Sequence, residues 1–143
     1  MDGVAAMKIL VGYVPTAEGE AALDLAAAEA ELRGGSVVLV NTGRGEAYLD
    51  RHYANQAELD AAEARLRARG LEVTIRHGLS GGDVAAELLQ AVAEEEADLI
   101  VLGIRRRSAV SKFILGNTAQ RILLESPIPV FAVKALRPKD LGL

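Results

Sequence analysis

Residues 8–13 read KILVGY, a short run in which apolar residues follow one another almost without interruption. Such a run is typical of a strand that helices cover on both faces, because neither of its faces is left polar for water. Residues 36–41 (SVVLVN), 99–102 (LIVL) and 128–133 (IPVFAV) have the same character. Together these runs predict a buried sheet.

Helical patterns separate the strands, at residues 17–32, 56–69, 84–94 and 119–124. The first helix has signals at both ends, since Thr16 caps its start and Gly34 with Gly35 stops it. EVTIR, at residues 72–76, alternates polar and apolar residues as an edge strand does. Gly103 is predicted to end the strand at residues 99–102, and we interpret the polar residues 42–55 as a long loop that can act as a lid.

Strands that alternate with helices are joined by right-handed crossovers and lie parallel. We therefore predict an α/β fold, a doubly wound five-stranded parallel sheet in the strand order 3-2-1-4-5 with helices on both faces. Residues 1–143 are predicted to form one domain, with an ordered core at about residues 7–134 and a loosely ordered tail at residues 135–143. Ligands of such sheets bind at the carboxyl ends of strands one and four, where the strand order reverses.

The composition excludes several classes of partner. The formal net charge is −4 at pH 7, and the chain has neither cysteine nor tryptophan. General binding to nucleic acid needs a basic surface or stacking aromatics, so no nucleic-acid partner is expected. Residues 1–6 lack the features of a signal peptide, and no apolar run approaches the roughly 20 residues that span a bilayer. We expect a cytoplasmic protein with no membrane partner.

Two segments meet at the predicted switch point between strands one and four. The turn after strand one holds Gly12, Tyr13, Val14, Pro15 and Thr16. The segment after strand four holds Gly103, Arg105, Arg106, Arg107, Lys112, Gly116, Asn117 and Thr118. A glycine there allows close approach of a ligand, the basic side chains supply positive charge, and a helix start offers backbone N–H groups to an anion. The other interpretation is that the arginines form a solvated surface run and the helix start is only a cap.

The same residues carry a resemblance to a known family. Residues 99–134, LIVLGIRRRSAVSKFILGNTAQRILLESPIPVFAVK, resemble the carboxyl-terminal signature of the universal stress protein family. In its nucleotide-binding members the signature has a glycine, two residues, a second glycine, nine residues, and a third glycine followed by serine or threonine. In this chain those places hold, in order, Gly103, Arg106, Gly116 and Asn117, with Thr118 one place later as a substitute.

The resemblance implies ATP, with magnesium, as the cofactor. It also implies that the adenine end touches the exit of strand two at Val40 and Asn41, where backbone groups can contact a base. Three places differ from the ATP-binding pattern, one of them Asn117, for which Thr118 is the substitute. Val14 stands where those members usually carry an aspartate, and Arg106 either blocks the pocket or places a guanidinium against the phosphates.

A homodimer is the expected assembly. The resemblance implies pairing through the last strand, which is predicted to begin at Ile128 and end at Val133, and an apolar edge strand needs covering. The alternatives are that the tail folds back over this edge or that Pro129 interrupts the ladder.

The sequence favours a binding protein over an enzyme. Neither a nucleophile elbow nor a Walker lysine is present, so no catalytic residue is predicted, and His52 and His77 lack metal-ligand spacing. We expect a universal stress protein-like module in stress response that binds ATP or a similar small anion at the switch point. One alternative is a dimeric protein-interaction module without nucleotide binding. The other is a weak ATPase or phosphotransferase that uses Lys112, with Ser108 or Ser111 as acceptor.

Overall fold

The computed structural model describes residues 6–41, 55–77, 83–104 and 116–135. Within these ranges the strands are β1 (Lys8–Tyr13), β2 (Ser36–Asn41), β3 (Val73–His77), β4 (Leu99–Ile104) and β5 (Val130–Lys134). The helices are α1 (Ala17–Arg33), α2 (Gln56–Ala68), α3 (Val84–Glu95) and α4 (Asn117–Glu125). The five strands form one sheet of parallel pairs in the order β3-β2-β1-β4-β5. The predicted α/β class and the strand order 3-2-1-4-5 are confirmed.

The sheet carries a hydrophobic core on each face, as a doubly wound fold requires. Alternate residues of β1 divide between the two cores: Ile9 and Val11 pack with α1 and α2, whereas Leu10 packs with α3 and α4. All three side chains are fully buried. Because both faces are covered, β1 needs apolar residues at successive positions, and this is why KILVGY lacks the alternation of a strand with one wet face.

Two predicted strand boundaries are corrected by the structure. Gly103 does not end β4, because the strand continues to Ile104 and Gly103 pairs in register with Val133 of β5. The last strand begins at Val130 and not at Ile128. The Ser126 hydroxyl donates to the Ile128 carbonyl at 2.7 Å and accepts from its N–H at 3.1 Å, so Ile128 belongs to the turn before the strand.

The predicted edge strand, lid and tail differ in how far the structure describes them. β3 lies at the edge of the sheet, as its alternating sequence predicted. Nearly all of the predicted lid (residues 42–55) and of the predicted tail (residues 135–143) lies outside the described residues, so both stay predictions. In the ranges that the structure does describe, no helix is both long enough and apolar enough to cross a bilayer.

Candidate functional site

The carboxyl ends of the central strands bring the first group of predicted site residues together. Gly12 of β1 lies in register with Val40 of β2 on one side and with Leu102 of β4 on the other. Tyr13 lies in register with Asn41. The switch point predicted from the topology therefore exists, and it is centred on Gly12.

The turn from β1 to α1 is held in one shape by backbone contacts. The Thr16 N–H donates to the Val14 carbonyl at 2.9 Å, and the Thr16 hydroxyl accepts from the Gly19 N–H at 3.1 Å, which caps α1. A β-carbon on Gly19 would lie 1.8 Å from the Val14 oxygen, so only glycine permits this approach. Pro15 fixes the backbone between Val14 and Thr16 further. The Thr16 side chain is thus engaged in its own helix.

Tyr13 points away from the crevice into the core. Its phenol donates to a Glu20 carboxylate oxygen at 2.6 Å, and the other Glu20 oxygen accepts from Arg65 of α2 at 2.7 Å. Burial, and then the hydrogen bond to Glu20, raise the pKa of the Tyr13 phenol well above its ordinary value of 10.0. The phenol therefore remains a neutral donor, and Tyr13 would meet a ligand through its backbone alone.

At the end of β2, as at Tyr13, the side chains are buried. Val40 is 2% exposed and packs its side chain into the core beneath α3 and α4, and Asn41 is a fully buried polar residue. Neither residue exposes its side chain to a ligand, and the predicted contacts to an adenine base at Val40 and Asn41 stay a prediction.

Gly103 has a structural reason to be glycine. A β-carbon at this position would lie 2.4 Å from the backbone oxygen of Glu18 and 2.8 Å from its carbonyl carbon. The first turn of α1 thus rests directly on the end of β4. The predicted role of Gly103 in close approach to a ligand stays a prediction, and the approach seen here is that of a helix.

The N-terminus of α4 differs from the other three described helix starts. The caps of α1, α2 and α3 are Thr16, Asn55 and Asp83, and each side chain accepts a hydrogen bond from the first turn of its helix. Gly116 precedes α4 and provides no side-chain cap. The first turns of α1, α2 and α3 also contain glutamates, whereas that of α4 contains no acidic residue.

This helix start lies beside the switch point. Ala119, in the first turn of α4, belongs to the same hydrophobic core as Val40 and Leu102. Because the helix macrodipole is positive at the N-terminus, an end without a carboxylate and without a side-chain cap attracts an anion. The predicted anion site at Gly116, Asn117 and Thr118 is compatible with this helix start and stays a prediction.

The basic residues of the predicted site, Arg105, Arg106 and Lys112, lie outside the described residues, so their part in the site stays a prediction. In the described part of the chain, no group of three or more histidine or acidic side chains is arranged to hold a metal ion. His77 ends the edge strand β3 and is exposed.

Sequence reasoning missed Gly19, Glu20 and Arg65. The only local signal was a glycine inside the first turn of a helix, where it costs about 1 kcal/mol relative to alanine and needs a packing reason. The partnership of Glu20 with Arg65 left no signal, because it joins two helices that the chain order alone does not place in contact.

Comparison with known proteins agrees with this fold. The model of the universal stress protein family matches residues 6–134. A universal stress protein from Mycolicibacterium smegmatis is 41% identical over 126 residues, which cover 88% of this chain and 96% of that protein. The solved structure of the universal stress protein from Archaeoglobus fulgidus in complex with dAMP has a TM-score of 0.65 and 24% identity, and the match covers 92% of this chain and 100% of that one. A universal stress protein solved in complex with cAMP has a TM-score of 0.70 and 22% identity, with coverage of 93% and 100%. The chain belongs to the universal stress protein family.

Proposed function

We propose that this universal stress protein binds an adenine nucleotide, with ATP as the first candidate, at the carboxyl edge of β1 and β4. The observation that carries the proposal is the start of α4, which has neither a side-chain cap nor an acidic first turn and lies beside the switch point. Two solved universal stress proteins of this fold hold dAMP and cAMP, which supports the choice of an adenine nucleotide. Membership of the family supports a role in stress response.

The geometry favours a particular orientation of the nucleotide. The phosphates would accept from the first backbone N–H groups of α4, at Asn117 and Thr118. The base would lie at the end of β2 and contact backbone groups, since Val40 and Asn41 expose no side chain there. Val14 offers the ribose no side-chain oxygen, so affinity on that side depends on backbone contacts. Magnesium would arrive with the ATP phosphates, which are its usual oxygen ligands together with water.

Calorimetric titration of the nucleotide-free protein tests the proposal. Denaturation and chromatography first establish that no nucleotide has co-purified. ATP with magnesium is then titrated, and AMP and cAMP follow in parallel. We expect ATP to bind with a dissociation constant on the order of 1 μM, about −8.2 kcal/mol. Absence of heat and of a thermal shift at millimolar nucleotide would contradict the proposal and favour the protein-interaction module. The weak ATPase hypothesis stays a prediction, because Ser108, Ser111 and Lys112 are outside the described residues.

We also propose that the protein is a homodimer joined through β5. This strand lies at the edge of the sheet, no other described strand pairs with its outer side, and its apolar residues are only partly covered. Leu123 and Leu124 of the neighbouring helix α4 are also exposed, Leu124 to 84%. An apolar edge of this kind is stabilised when a second copy covers it.

The double substitution Leu124→Glu with Ala132→Lys is expected to give a monomer. Both residues are exposed, so the charges disfavour self-association while the fold tolerates them. Light scattering after gel filtration should give twice 15.1 kDa for the unmodified chain and 15.1 kDa for the variant. Leu32→Glu is the matched control, since Leu32 is 76% exposed on α1, and its mass should not change. A monomeric mass for the unmodified chain would contradict the dimer.

A further inference from the structure

An ion pair joins the starts of α3 and α4 close to the proposed nucleotide site. One terminal nitrogen of the Arg121 guanidinium contacts a carboxylate oxygen of Asp83, the cap of α3. The other Asp83 oxygen accepts from the Ala86 N–H at 3.3 Å. The hydrogen bond from Arg121, followed by that from the Ala86 N–H, holds the pKa of Asp83 below its ordinary value of 3.8. Arg121 also has a long contact of 3.4 Å between its Nε and Glu125.

The ion pair holds the positively charged Arg121 guanidinium at the edge of the sheet where the ligand is proposed to bind. Arg121 follows Asn117 by four residues of α4, about 6 Å along the axis, and long helical side chains lean toward the N-terminus of their helix. Its partner confirms this direction, because Asp83 caps the start of α3 and helix starts lie at the carboxyl edge of a parallel sheet. The guanidinium is thus positioned within reach of an anion on the α4 N-terminus.

The pair is also easily exchanged. The side chains of Arg121 and Asp83 are 40% and 54% exposed, and exposed ion pairs contribute little net stability. A phosphate carries more charge than a carboxylate and accepts from an arginine in the same bidentate manner. Asp83 would keep its cap on α3 after losing Arg121, since that hydrogen bond uses its other oxygen.

We propose that Arg121 is a specificity-determining residue of the nucleotide site, which exchanges Asp83 for the outer phosphates and so makes affinity rise from AMP to ADP to ATP. This inference rests on the proposed nucleotide binding. Asp83 competes with the polyphosphate for the same guanidinium, so the two residues act on affinity in opposite directions.

Titration of ATP, ADP and AMP into the full chain and two variants tests the exchange. Arg121→Gln is expected to weaken ATP binding about tenfold, the effect of one charge-assisted hydrogen bond, and to change AMP binding less than twofold. Asp83→Asn is expected to strengthen ATP binding severalfold, because asparagine preserves the cap while it releases the arginine. If the ion pair only supported the fold, both variants would weaken binding together, and the inference would be wrong.

A remote ion pair separates this effect from a general change of charge. Glu29 and Arg33 of α1 are 2.7 Å apart near the end of the helix, at the opposite edge of the sheet. Glu29→Gln and Arg33→Gln repeat the two charge changes and should leave the order of the three affinities unchanged. If Arg121→Gln bound ATP and preferred it over ADP and AMP as strongly as the unmodified chain does, the proposed exchange would be wrong and the proposed function would stand. Absence of binding for all three nucleotides to the unmodified chain would overturn the proposed function as well.

Discussion

Gly103→Ala is expected to lower the free energy of unfolding by about 3 kcal/mol, the upper part of the usual range for overpacking. The added β-carbon would lie 2.4 Å from the backbone oxygen of Glu18. Because this oxygen belongs to the backbone, no side-chain rotation can relieve the contact. Either α1 or the end of β4 must move. Urea unfolding measures the loss, at one protein concentration for both chains so that the proposed dimerisation contributes equally.

Gly34→Ala is the control for the loss of a glycine without a collision. Gly34 ends α1 with a φ of +67°, and a β-carbon there meets nothing within 4 Å. Its substitution should cost only the penalty of a left-handed residue, about 1 kcal/mol. If Gly103→Ala were no more damaging than Gly34→Ala, the close contact between α1 and β4 would not be the reason for this glycine.

Gly116→Asp is expected to weaken ATP binding at least 100-fold, about 2.7 kcal/mol, while the protein becomes no less stable. Gly116 has φ −67° and ψ 163°, an extended conformation that any residue adopts. An aspartate in this cap position would accept from the first N–H groups of α4 and place a negative charge at the positive end of the helix. The same substitution therefore favours the helix and excludes the anion. Calorimetry measures the affinity, and a thermal melt measures the stability.

Two further variants show whether the effect belongs to the α4 start. Gly116→Asn supplies a cap without charge and should give an intermediate loss of affinity. Gly34→Asp adds the same charge at the opposite edge of the sheet, in a conformation that aspartate tolerates, and should leave ATP affinity unchanged. Binding of ATP to Gly116→Asp within threefold of the unmodified protein would show that the phosphates do not use these N–H groups.

The sequence predicted the sheet because its strands are local signals. Each buried strand is a continuous apolar run, EVTIR alternates because it lies at an edge, and the right-handed crossover rule leaves few orders for such an array. The strand boundaries were less predictable. Gly103 was expected to break β4, but a glycine inside a strand can also admit a neighbouring backbone, and only the packed structure distinguishes the two.

The sequence predicted the position of the candidate site better than it predicted which side chains are in contact there. Topology placed Gly12 and the α4 start at one edge, and the family signature identified Gly103 and Gly116. The arginine partners of Glu20 and Asp83 could not be predicted, because Glu20 with Arg65, and Asp83 with Arg121, join residues 45 and 38 positions apart. Such pairs depend on how helices pack on the finished sheet, and a single sequence carries no local trace of that.

The glycine contacts at Gly19 and Gly103 together limit how this molecule can change its conformation. One joins the first turn of α1 to the Val14 carbonyl, and the other joins the same turn to the end of β4. Because backbone meets backbone at both positions, we expect α1 to resist the small shear steps along the sheet that packed helices usually allow. We therefore expect a change of conformation on ligand binding to leave α1 in place and to be carried by elements on the opposite face, where the Asp83–Arg121 ion pair joins α3 to α4.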